Sequence, residues 1–141
     1  MGKATVREAM TASPRSIESG ETVVQAARMM ANENVGSLPV VDGGALVGMV
    51  TDRDLVVQVL AKGLDPDKVT VSEVASENPV VAGPEDSLDS ALQRMAQEQV
   101  RRLPVVEEGR LVGILAQADV ARTAKPDSTG EMVEQISQEN A

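Results

Sequence analysis

Between Thr22 and Glu33 the apolar residues fall at Val23, Ala26, Ala27, Met30 and Ala31. This is the one-sided spacing of an amphipathic helix, and Thr22 with Gln25 supplies a capping-box pair at its start. The period then shortens. Leu38 to Val41 and Leu46 to Val50 are nearly unbroken apolar runs on either side of Asp42-Gly43-Gly44, which reads as two strands joined by a hairpin turn. Strands this apolar are expected to be covered on more than one side. The pattern predicts a further helix from Asp52 to Lys62. It also predicts a short strand around Ser16-Ile17 after Pro14, since proline disfavours helix at its boundary.

The same series recurs 65 residues later: Val6 to Asp54 aligns with Val71 to Asp119 without a gap, and 17 of the 49 pairs are identical. Ordinary residue usage gives roughly three such matches. The clearest stretch sets Val35-Gly-Ser-Leu-Pro-Val-Val-Asp-Gly-Gly-Ala-Leu-Val-Gly48 over Val100-Arg-Arg-Leu-Pro-Val-Val-Glu-Glu-Gly-Arg-Leu-Val-Gly113. The second helical stripe runs through Leu88, Ala91, Leu92, Met95 and Ala96. Strands at Leu103 to Val106 and Leu111 to Leu115 flank Glu107-Glu108-Gly109, a short strand is expected at Val80-Val81, and a last helix at Gln117 to Ala124. Two copies are too few for a solenoid. The expected class is α/β (α+β): two β-α-β-β-α repeats related by pseudo-twofold symmetry and packed through their sheets. The expected division is residues 1–62 with an N-terminal helix, a linker over 63–70, residues 71–124, and an acidic tail over 125–141. In that tail one lysine against four acidic residues leaves −3, and Ser128 with Glu131 offers a cap for a short helix.

Composition narrows the chemistry. At 141 residues and 42% hydrophobic content the chain can form a packed interior. It has no His, Cys, Phe, Tyr or Trp. Thiolate and imidazole nucleophiles, disulfides and the usual zinc ligand sets are therefore excluded. A formal charge of −9 repels nucleic acid phosphates and anionic membranes, and stacking platforms for single strands are missing. No apolar run is long enough to span a membrane and the start does not read as a signal peptide, so a soluble, cytoplasmic protein is expected.

Candidate ligand chemistry concentrates where the last strand of copy one meets its last helix, Gly48-Met-Val-Thr51-Asp52-Arg53-Asp54. A helix start presents unpaired amide donors and a positive dipole end. Thr51 adds a hydroxyl, and the acceptor-only carboxylate of Asp54 suits the two vicinal hydroxyls of a ribose. Thr-x-x-Asp is equally a capping box, whose side chains simply satisfy the helix start. Asp52 and Asp54 do not make a metal pair, because residues two apart on a helix face different ways. Gly43-Gly44 with Gly48 fits neither the dinucleotide nor the Walker spacing. Met30 and Met95 read as core, while Met29, just off the stripe, is a candidate instead for a second apolar face buried against a partner.

The ordered set occurring twice resembles the tandem cystathionine-beta-synthase (CBS) domain pair, or Bateman module, from about Val6 to Ala124. The set is Leu-Pro-Val-Val, a short turn, Leu-Val-Gly, then Thr51-x-x-Asp54 or its counterpart, each preceded by a helix carrying Ala-x-x-x-Met. The linker and the Arg-Arg-Leu-Pro run look most like small stand-alone bacterial CBS-pair proteins of the hypoxic-response type. The resemblance implies a non-enzymatic regulatory module with no obligatory cofactor. It would bind adenosine-containing ligands (AMP, ADP, ATP, S-adenosylmethionine or NAD) in clefts between the repeats, form a homodimer, and signal to a separate effector protein. Carried over by position, it points to Thr51 and Asp54 for one cleft and Asp119 for the other. At the second, Ala116 stands where a hydroxyl residue belongs, so the clefts are not expected to be equivalent. A basic residue often precedes the Leu-Pro pair in phosphate-binding members. Arg101 and Arg102 hold that place in copy two, whose simpler reading is pairing with Glu107 or Glu108, and Ser37 completes the candidate set in copy one. Ile17 and Ala82 are candidate walls for a purine, with a core role as the plainer alternative. The rival function is a homodimeric interaction scaffold with vestigial clefts. An enzyme built on Asp, Lys or Ser alone finds no constellation.

Overall fold

The computed structural model describes residues 4–123. In chain order the elements are α1 (Val6–Ala9), β1 (Thr11–Ala12), β2 (Ile17–Glu18), α2 (Val23–Glu33), β3 (Ser37–Asp42), β4 (Ala45–Thr51) and α3 (Asp52–Leu55). A π-helical turn (Val56–Leu60) follows, then α4 (Val71–Val74), β5 (Ser76–Glu77), α5 (Leu88–Glu98), β6 (Arg102–Glu107), β7 (Arg110–Ala116) and α6 (Gln117–Thr123). The expected cap at Ser128 and Glu131 lies outside the described residues.

The chain divides into two compact units. One holds residues 15–79 and 108–111; the other, among the described residues, holds 4–14, 80–107 and 112–123. In the first, β2 runs parallel to β3 with Ile17 beside Val40. The β3–β4 hairpin pairs antiparallel from Ser37 opposite Thr51 to Asp42 opposite Ala45, and β5 adds to β4 at Gly48 and Met49. The α2 stripe buries Val23, Ala26 and Met30 in a core with Ile17, Leu38, Val40, Val50, Val59 and Val71. In the second unit, β6 pairs β7, β1 pairs β7 with Ala12 opposite Gly113, and the expected short strand is a single bridge from Ala82 to Val105. Its core gathers Val6, Ala82, Leu88, Ala91, Met95, Leu103, Val105, Leu115 and Val120. Each fully buried Leu or Val there contributes about 1.5–3 kcal/mol.

The short elements missed by periodicity connect in a reciprocal way. The helix that opens copy one, α1, docks in the unit of copy two, where the Val6 and Arg7 amides donate to Asp86 and Pro84 carbonyls at 2.9 and 2.8 Å. The helix that opens copy two, α4, docks in the unit of copy one, where Val71 and Ser72 donate to Glu21 and Ser19 at 2.8 and 3.2 Å. A four-residue helix is far below the length that is stable alone, so each depends on this docking. Capping boxes, Thr5 with Glu8 and Thr70 with Glu73, start both.

Backbone details follow from residue type. The α2 start departs from the expected box: Thr22 Oγ1 accepts from the Gln25 amide at 3.3 Å, while Gln25 Oε1 is engaged by Arg28. Gly43 and Gly44 take φ of 60° and 93°, the positive pair that a tight hairpin turn demands. Gly48 serves another need: a Cβ there would lie 2.6 Å from the Ser76 carbonyl oxygen, so only glycine lets β5 reach the sheet. The single helix predicted over Asp52 to Lys62 is instead four α-helical residues followed by the π turn, closed by Ala61 N–H to Val56 O at 2.8 Å. Three β-branched valines, at 56, 57 and 59, disfavour a regular α-turn. The wider turn keeps Val59 at 2% exposure while Val56, Val57 and Leu60 face outward at 53%, 41% and 69%.

Candidate functional site

The junction of β4 and α3 brings Thr51, Asp54 and Ser37 together. Thr51 leaves the strand with φ −117° and ψ 162°, and its Oγ1 accepts from the Asp54 amide at 3.1 Å. Asp54 Oδ2 accepts in return from the Thr51 amide at 2.9 Å. Both halves of the capping box are therefore made, and the alternative that the sequence left open is real. It does not exhaust either side chain. Thr51 keeps its hydroxyl proton to donate, and Asp54 Oδ1 takes no partner among the described residues. Both residues are half-buried, and Ser37 stands across the ladder from Thr51. Asp52 turns elsewhere: its Oδ1 accepts from the Arg53 amide at 2.8 Å, and its own amide donates to the Gly36 carbonyl at 2.9 Å.

The corresponding junction of β7 and α6 is built differently. Asp119 Oδ2 accepts from the Ala116 amide at 3.1 Å, but Ala116 has no hydroxyl to answer. The other carboxylate oxygen of Asp119 accepts from Arg122 Nη2, and the residue is 7% exposed. Thr123 Oγ1 donates to the Asp119 carbonyl at 2.9 Å. Arg101 and Arg102 stand beside this junction at the start of β6, exposed, with the Arg101 carbonyl accepting from the Gln117 amide at 3.0 Å. Glu107, an expected partner for them, is bonded to Arg7 at 3.1 Å. Arg7 also donates to Glu85 at 2.9 Å, and that bond raises its already high pKa, so this cation stays charged.

Two residues that sequence reasoning missed belong beside these. Arg94 Nη1 donates to the Val81 carbonyl at 2.8 Å and to Asp86 Oδ2 at 3.0 Å, and Asp86 also accepts from the Gly83 amide at 2.8 Å. Arg122 is the other. The signal was present in the repeat alignment, where these arginines stand over Met29 and Val57. Ile17 and Ala82, at 3% and 0% exposure, are core residues of their units. Met29 packs against its own unit's core. Three of the exposed large apolar side chains, Val56, Val57 and Leu60, cluster on the π turn, next to a groove of about 390 Å³ lined by Val24, Ala27, Ala31, Leu55, Leu60 and Pro66, with Arg28 at its edge.

Comparison with known proteins fits this architecture. The CBS domain family model matches residues 6–61 and 71–125. The chain is 41% identical over 137 residues to the CBS domain-containing protein YhcV of Bacillus subtilis, covering 96% of this chain and 97% of that one. It is 41% identical over 119 residues to Hypoxic response protein 1 of Mycobacterium tuberculosis, covering 84% and 83%. Among solved structures, that of Hypoxic Response Protein I with two coordinated zinc ions superposes with TM-score 0.80 at 40% identity, covering 86% of this chain and 100% of the other. CBSX2 in complex with AMP gives 0.74 at 30%, covering 86% and 95%. The CBS domain pair of MJ0100 with 5-methylthioadenosine and S-adenosyl-L-methionine gives 0.73 at 28%, also covering 86% and 95%. The donor set here does not suit zinc: there is no His or Cys, and no cluster of three or more carboxylates able to hold a metal exists among the described residues. No helix among them is long and apolar enough to cross a membrane.

Proposed function

The chain belongs to the CBS domain family, and we propose that it acts there as a non-enzymatic regulatory module binding an adenosine-containing ligand. AMP, ADP, ATP, S-adenosylmethionine and NAD all carry the group in question. Thr51 and Asp54 are its principal contacts. The observation that carries the reading is the spare capacity of their capping box: a carboxylate oxygen unshared among the described residues and a hydroxyl proton, on two half-buried residues at a helix start. A ribose offers two hydroxyl donors to such a carboxylate, and a phosphate accepts from the threonine hydroxyl. The AMP and S-adenosylmethionine held by two structural relatives favour the same ligand class. Cytoplasmic residence suits a sensor of such metabolites.

The module is proposed to work as a homodimer that reports to a separate effector protein. Val56, Val57 and Leu60 and the neighbouring apolar groove supply a face for self-association. That same face supports the second reading, a scaffold whose ligand sites are vestigial.

Thermal melts with millimolar AMP, ATP, S-adenosylmethionine and NAD separate the two. A binder at a hundredfold excess over its dissociation constant gains about 2.7 kcal/mol. Asp54→Ala should remove most of the gain while leaving a cooperative melt. An absence of any shift with all four compounds favours the scaffold, and a shift unchanged in Asp54→Ala removes Asp54 from the site.

A further inference from the structure

We propose that Arg122 and Arg94 close the second repeat to nucleoside ligands, so that each chain takes one ligand molecule, at the first repeat. This rests on the nucleotide reading above and adds to it a count and the residues that set the count.

Two separate observations support it. The carboxylate of Asp119 is engaged at both oxygens, one by the Ala116 amide and the other by Arg122, and only 7% of the residue is exposed. A vicinal diol would have to compete for that carboxylate with a guanidinium already held there by a charge-assisted bond. The backbone beside Ala82 is likewise engaged. The Val81 carbonyl accepts from Arg94 at 2.8 Å, and Asp86 at 3.0 Å fixes that arginine in place. A carbonyl already bonded to a cation has one acceptor site fewer to offer a purine amino group.

Neither device exists in the first repeat. Val57 and Met29 occupy the aligned positions and carry no donor, which leaves Asp54 Oδ1 unshared among the described residues. Arg122 is well placed as a plug rather than a structural strut: its side chain is 73% exposed, whereas its partner carboxylate is 9% exposed. Exchanging it for the residue at the aligned position, valine, therefore leaves the core untouched.

The test is titration calorimetry of the full chain with AMP as the probe, comparing wild type, Arg122→Val and the double variant Arg94→Met/Arg122→Val. Expected are one AMP per chain for wild type and two for the double variant, with a second site also emerging in Arg122→Val alone. That single variant carries the test should loss of the Arg94 ion pair unfold the double one. Adding Asp54→Ala should abolish binding in the wild-type background but leave one AMP in the opened variants. Two AMP per wild-type chain, or one in wild type and in each folded arginine variant alike, overturns the arginine closure while leaving the role of Asp54 intact. No AMP bound by any of them overturns the nucleotide reading itself, and the closure with it.

Discussion

Moving one hydroxyl between the two strand–helix junctions should shift stability in opposite directions. In the first repeat, Thr51 Oγ1 accepts from the Asp54 amide at 3.1 Å. Thr51→Ala deletes that bond and leaves the return bond, Asp54 Oδ2 to the Thr51 amide at 2.9 Å, because the second repeat keeps its equivalent with alanine in place. Losing a threonine N-cap costs about 1 kcal/mol, within a range of roughly 0.5–2. The site is half-buried, so water replaces the lost acceptor only in part, and the upper half of that range is expected. For a chain this long, each kcal/mol moves the melting midpoint by about 3–5 °C. The reverse exchange, Ala116→Thr, offers the Asp119 amide a new acceptor. Its gain should be smaller, about 0.5 kcal/mol, since Arg122 already holds the Asp119 carboxylate in place. Urea unfolding followed by far-UV circular dichroism, with the slope unchanged across the set, reads both. If Ala116→Thr lowers the midpoint, or Thr51→Ala leaves it where it was, the junctions are not held by capping as described.

The glycine of each Leu-Val-Gly motif should tolerate a methyl group unequally. At Gly48 the added Cβ meets the Ser76 backbone oxygen at 2.6 Å, whereas at Gly113 the nearest atom, at 2.5 Å, is the movable Met10 sulfur. Gly48→Ala should therefore cost about 1–3 kcal/mol in chemical unfolding and Gly113→Ala less, and the opposite order would contradict the packing described. Leu60, 69% exposed on the π turn, should contribute to self-association rather than to the core. Leu60→Asp is expected to shift sedimentation toward monomer while the single-chain fold persists, and an unaltered distribution would move the dimer face elsewhere.

How much was legible in the sequence depended on element length. Eleven-residue helices and six- or seven-residue strands carry enough positions to show a period, so α2, α5 and the two hairpins fell where the pattern put them. The four-residue helices and two-residue strands have no period to read, and their docking in the unit of the other copy is a long-range property. The π turn escaped because a run of valines is compatible with helix by burial and incompatible with it only by side-chain crowding. At the site, Thr51 and Asp54 were found because their spacing encodes a local motif. Arg94 and Arg122 were missed because an arginine's partner is set by where a long, flexible side chain folds back. Their only trace was a charge standing over an apolar residue in the repeat alignment.

That trace bears on how a duplicated chain comes to hold unlike sites. Both copies need a carboxylate three residues into the last helix to cap it, and both have one, so stability alone preserves Asp54 and Asp119. What stability leaves unconstrained is the second oxygen of each. In the first repeat it has no cation partner among the described residues, and in the second it is bonded to Arg122. A ligand at Asp54 therefore adds to the cap rather than competing with it, since the helix start keeps both of its own bonds while the carboxylate gains a third. On the proposed reading, binding there would tighten the first turn of the helix that continues into the outward-facing Val56, Val57 and Leu60. If the proposed ligand and the proposed self-association are coupled, the coupling must be reciprocal: whatever factor the ligand imposed on a dimer, dimerisation would impose on ligand affinity.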